Sequence, residues 1–76
     1  MEAKGGKVEP KIAVGRNIKQ HRKRRELTQE KLAYRAGMHP VEVGRAERGV
    51  RDMRVSTVVK LARGLGVPPM ELLKDL

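Results

Sequence analysis

The chain has no cysteine, no tryptophan and no phenylalanine, and its one tyrosine, Tyr34, is its whole aromatic complement. Without cysteine there is no disulfide scaffold, no thiolate zinc site and no thiol nucleophile. A single aromatic leaves no interfacial anchor of the kind that holds a helix on a membrane surface. No apolar run approaches the length of a membrane span, and no apolar stretch of signal-peptide type follows Met1, so the reading is of a soluble, cytoplasmic protein. Strand-like alternation is missing throughout. Clustered carboxylates are missing too, and Ser56 has no histidine near it in sequence and suits a helix start. No catalytic constellation is expected, and no metal or other cofactor. With 76 residues the chain makes one small domain, which buries only about 60% of its unfolded surface and has little room for a deep enzymatic cleft.

Positive charge is what the sequence has in excess. Lys and Arg number 18 against 9 Asp and Glu, a net +9. Its placement says more than its sum. Residues 1–25 hold nine basic and two acidic side chains, whereas residues 64–76 hold Lys74 against Glu71 and Asp75. Such a balance points to an acidic partner, most often nucleic acid. Basic tails that merely aid solubility share this composition, so charge alone does not choose the function.

Residues 1–10, MEAKGGKVEP, lack hydrophobic periodicity and carry a Gly pair and a Pro; they read as a flexible basic arm, leaving 11–76 as the folded domain. From Lys11 the pattern turns helical. Val14, Ile18 and the slot at His21 or Arg22 share one face over 11–25, and Lys and Arg cover the other. Thr28 is a good N-cap for a second helix, although Lys31 stands where a capping box needs Glu or Gln. Leu32, Ala33 and Ala36 form its stripe and Gly37 ends it. Pro40 opens a third helix, with Val43 and Ala46 inward and Gly49 at its close. After a polar loop at 50–54, Val55, Val58, Leu61, Ala62 and Leu65 mark a fourth helix stopped by Gly66. Pro68-Pro69 opens a last short helix carrying Leu72, Leu73 and Leu76. The fold class is all-α, a bundle of five short helices.

Two short helices joined tightly at Ala36-Gly37-Met38 make the geometry of a helix-turn-helix, with Ala33 small at the crossing and Leu32, Met38 and Val43 as anchors behind the turn. Here the sequence resembles the Cro and lambda-repressor (Xre-type) DNA-binding domains. The likeness rests on Thr28-Gln29-Glu30-Lys31-Leu32-Ala33, Ala36-Gly37, Glu47-Arg48-Gly49, Lys60-Leu61-Ala62 and Leu65-Gly66-Val67, and it runs from about Val14 to Leu73. Each motif is weak alone; in order and at matching intervals they are specific. The resemblance implies a compact five-helix lambda-repressor-like bundle whose third helix, about 39–48, enters the major groove of double-stranded DNA.

By the same resemblance, Pro40, Val41, Glu42 and Arg45 fall at base-facing positions. Arg45 is the best reader, because its fork bonds guanine O6 and N7 together; Glu42 can accept from cytosine and Val41 can pack on a thymine methyl. Glu42 and Arg45 are also three residues apart, so a surface ion pair is equally open. Gln29, His39, Arg48, Arg51 and Arg54 match phosphate-contacting positions. Arg22 and Glu47 match an ion pair that braces the recognition helix. The sequence departs from the pattern at His39, where the resemblance expects a Ser or Thr cap, at Pro40 and Gly44, and at His21, read as a neutral core histidine. The run Arg22-Lys23-Arg24-Arg25 is open between a polyanion stripe and a solvated face. Met70 and Leu76 are open between a dimer patch and a cap on the chain's own core. The expected activity is repressor-type transcriptional regulation by a homodimer on a palindromic operator. The alternatives are a restriction-modification controller protein, or an antitoxin or coactivator using the same fold to hold a protein partner.

Overall fold

The computed structural model describes residues 8–76, and so most of the expected 1–10 arm lies outside the described residues. Five helices follow in order: α1 (Pro10–Arg24), α2 (Gln29–Ala36), α3 (Pro40–Arg48), α4 (Val55–Leu65) and α5 (Pro69–Leu72). Helix α1 begins at Pro10, one residue inside the segment read as arm, because a proline at the first helical position has the right φ and lacks an N–H that would be unpaired there.

The helical stripes meet in one core. Val14 and Ile18 come from α1, Leu32, Ala33 and Ala36 from α2, and Val43 and Ala46 from α3; Val58, Leu61, Ala62 and Leu65 come from α4, and Leu72 from α5. Leu27, Met38, Met53 and Val67 seal its edges. Helix α2 packs chiefly on α4, and α1 chiefly on α3. Two glycines set the α1–α3 distance. A Cβ at Gly15 would lie 2.5 Å from the Ala46 carbonyl oxygen and 2.6 Å from that of Glu47. Gly49, at φ +64°, ends α3 in the left-handed region, and its Cα side faces the Ile12 backbone, where a Cβ would lie 2.9 Å from Cα.

Two positions of the expected apolar stripes, Val55 and Leu73, turn out to be exposed, and so does Leu76, whose place the sequence left open. Val55 is 80% exposed, on the right face of α4 but at its first residue, beyond the reach of the helices that cover the rest of the stripe. Leu73 and Leu76 are exposed because α5 ends at Leu72, the one leucine of the three that enters the core. The end of α5 is tied to α1 instead by Asn17, whose Nδ2 donates to the carbonyls of Leu72 at 3.0 Å and Lys74 at 2.9 Å.

Candidate nucleic-acid interface

Helix α3 sorts its side chains sharply. Val43, Ala46 and Glu47 are buried, whereas Val41, Glu42, Arg45 and Arg48 are exposed and Pro40 is half-buried. The buried carboxylate is the unusual member. Glu47 takes two hydrogen bonds from the Arg22 guanidinium, Nε to Oε2 and Nη2 to Oε1, the second at 3.0 Å. Gln29 Nε2 donates to the same Oε1 at 3.0 Å, and Arg22 Nη1 donates to the Leu27 carbonyl at 2.8 Å. A planar fork suits a carboxylate held on two oxygens. One carboxylate thus fastens α1, the entry to α2 and α3 to one another, and the Arg22–Glu47 pair stands where the resemblance implied it.

The start of α3 departs from the expected pattern. His39 does cap the helix: Val41 N–H donates to its Nδ1 at 3.2 Å, and Glu42 Oε1 accepts from the His39 N–H at 3.0 Å. An imidazole nitrogen replaces the Ser or Thr oxygen, and the Glu at the third helical position closes a capping box. The Glu42 carboxylate is therefore turned back onto the backbone. It makes no ion pair with Arg45 among the described residues. At α2 the box is indeed missing, and Thr28 Oγ1 alone accepts from Lys31 N–H at 3.0 Å.

Two depressions flank α3. One, between the start of α2 and α3, is an open groove lined by Arg22, Gln29, Glu30, Val41, Gly44 and Arg48 together with Thr28 and Pro40. Gly44 leaves the helix surface low beneath the Gln29 and Arg48 side chains; a Cβ there would lie 3.3 Å from Arg48 Nη1 and in ordinary contact, 3.6 Å, with Gln29 Oε1. The other, between α3 and the start of α4, gathers Glu42, Arg45, Arg51, Arg54 and Lys60, with Asp52 its second acid. None of Arg45, Arg48, Arg51, Arg54 and Lys60 is ion-paired with an acid of the described residues. All the residues expected to meet DNA are thus gathered around α3, either in these depressions or, for His39, at its end. Lys60, together with Ser56 and Thr57, joins the second depression unforeseen; its spacing from Ser56 and Thr57 on α4 was the available signal.

His21 is buried against α5, as a core histidine should be. Desolvation lowers its pKa, aided by Arg25 and Arg24 and opposed by Glu71. Its 3.8 Å approach to Glu71 is therefore not an ion pair at neutral pH. No helix among the described residues is long and apolar enough to cross a membrane.

Two helices at this turn, with an exposed second helix among cations, define a helix-turn-helix domain. The comparisons agree. A helix-turn-helix domain model matches residues 13–74. Control protein C.BamHI of Bacillus amyloliquefaciens is 31% identical over 64 residues, 83% of this chain and 79% of the relative. The uncharacterized HTH-type transcriptional regulator y4dJ of Sinorhizobium fredii is 39% identical over 59 residues, 78% of this chain and 77% of the relative. The crystal structure of the restriction-modification controller protein C.AhdI from Aeromonas hydrophila superposes with a TM-score of 0.77 at 34% identity, covering 80% of this chain and 92% of that one. The chain belongs to the helix-turn-helix family of DNA-binding transcription regulators, whose named relatives here are regulators and not enzymes.

Proposed function

We propose that this regulator acts in the cytoplasm as a homodimer, laying one α3 in the major groove of each half of a palindromic operator. The observation that carries the reading is the exposed face of α3 set between a groove that holds Arg48 and a depression that gathers Arg45, Arg51, Arg54 and Lys60, none of them ion-paired among the described residues. Arg45 reads a base, most simply guanine, and Val41 packs beside it on a thymine methyl. Gln29 and Arg48 hold phosphates on one flank, and Arg51 and Arg54 hold them on the other. Glu42 serves the cap before it serves a base, and Pro40 contributes shape rather than a hydrogen bond.

One domain of this size reads only a few base pairs, and a dimer doubles the site by placing two recognition helices about 34 Å apart. Met70, Leu73 and Leu76, all exposed at the end of the chain, are the apolar surface that a second copy fits. Likeness to the controller proteins C.BamHI and C.AhdI favours a restriction-modification locus as the setting.

Selection of bound duplexes from a random library, with light scattering for stoichiometry, tests this. A recovered palindrome bound by two chains is the expected result; enrichment of no sequence overturns it. On the recovered duplex, Arg45→Ala should cost about 1–3 kcal/mol while leaving affinity for random DNA nearly unchanged. Equal losses on both would place Arg45 on a phosphate.

A further inference from the structure

His39 matches a phosphate-contacting position, but the hydrogen bonds around it lead elsewhere. An N-cap must offer an acceptor to the first turn of its helix. His39 offers Nδ1, which receives the Val41 N–H at 3.2 Å. A ring nitrogen that accepts carries no proton, and so the proton of the neutral imidazole is on Nε2. The cap therefore settles the tautomer. It also anchors one edge of the ring, leaving the exposed Nε2–H on the opposite edge, away from the helix.

The following residues sharpen the point. Pro40 and Val41 have no side-chain donor, and the carboxylate of Glu42 is held by the His39 N–H. Across residues 39–42, the leading end of the recognition helix, the Nε2–H of His39 is then the one side-chain hydrogen-bond donor. Phosphates are better served by the arginines on either flank. A protonated His39 would suit a phosphate too, but it has no lone pair on Nδ1 and would forfeit the cap.

We infer that His39 is a specificity-determining residue whose Nε2–H reads an acceptor on a base edge, guanine O6 or N7, adenine N7 or thymine O4, in each half of the operator. The inference rests on the DNA-reading role of α3 proposed above. A fixed donor can bond these acceptors and is turned away by the amino group that is all cytosine presents in the major groove. Because the ring is already held by its cap, little side-chain freedom is lost when the contact forms.

Two substitutions separate reach from capping. In His39→Ser the hydroxyl accepts from the Val41 N–H but ends well short of Nε2, so the cap stays and the reach goes. In His39→Gln the amide reaches about as far as Nε2 while capping poorly. The probes are the duplex selected by the wild-type chain, each of its single-base-pair variants, and a scrambled duplex of equal length. His39→Ser should unfold at the wild-type midpoint and bind the scrambled duplex unchanged, yet lose about tenfold of its discrimination at one base pair of each half-site. His39→Gln should keep that discrimination despite a lower midpoint. Equal loss by His39→Ser on every duplex would overturn the inference in favour of a phosphate contact, and full retention at every position would leave His39 as a cap alone. If the wild-type chain enriches no sequence, the DNA-reading role itself fails, a result distinct from either.

Discussion

Glu47 is the residue on which the interface turns. Its side chain is 3% exposed and that of Arg22 12%, so removing either partner strands a charge in a nearly dry site. Arg22→Ala should cost about 3–5 kcal/mol in urea unfolding, whereas Arg22→Met combined with Glu47→Leu should recover most of that loss. The double variant should still bind DNA more weakly than wild type, because Gln29 loses the oxygen that holds its amide over α3. A double variant as unstable as the single one would show that the pair contributes more than mutual neutralisation. His21 gives a second prediction at this scale. Its folded pKa is lowered by burial, with Arg25 and Arg24 adding to it, so the unfolded chain takes up its proton first as the pH falls. The neutral-ring stability is fully present above the unfolded value near 6.5 and is lost as the pH drops below it toward the folded pKa. The thermal midpoint should therefore fall between pH 7.5 and 5, and His21→Leu should flatten that part of the profile. An equally steep profile in His21→Leu would assign the transition to other groups.

At the scale of helices, what matters is where each one ends and how closely two can approach. Helix α1 ends differently from its neighbours, since the residue past its cap, Glu26, sits at φ +53°, where glycine is at ease and glutamate is strained. Glu26→Gly should raise stability by up to about 1 kcal/mol, read as a shift in denaturant midpoint. Gly15→Ala should do the reverse, by about 1–3 kcal/mol, because the added methyl overlaps two carbonyl oxygens of α3. Such contrasts explain what a sequence makes legible. Stripes and glycine ends are local patterns, and so α2, α3, α4 and their limits at Gly37, Gly49 and Gly66 could be read directly. Coverage is not local: Val55 and Leu73 keep the right period and character, but no neighbouring helix covers them. The bonds that join Glu47 to Arg22 and Gln29 span 25 and 18 residues, and no spacing rule anticipates them; the first came from family likeness, the second from the fold alone. The cap at His39 was hidden because a histidine offers an acceptor on only one of its nitrogens, and only the turn geometry shows which.

For the whole molecule the governing quantity is charge, and its effect is collective. A chain of net +9 will adhere to any polyanion, so affinity alone says little about which side chains meet DNA. Salt dependence says more, because each neutralised phosphate releases counterions and contributes about −0.9 to the slope of log K against log salt concentration. Arg51 stands in the loop that leads to α4, exposed and without an ion-pair partner among the described residues, and is proposed to hold one phosphate per chain. Arg51→Ala should then make the slope shallower by about 0.9 for every copy of the chain on the duplex, hence by about 1.8 for a homodimer. The change in slope counts protomers without any measurement of mass. Arg45→Ala should instead lower affinity for the selected duplex while changing the slope much less, as a base contact should. Titrations of both variants across 50–200 mM salt on one duplex decide the matter. A change near 0.9 for Arg51→Ala would mean a single bound chain, and no change at all would remove the loop from the interface.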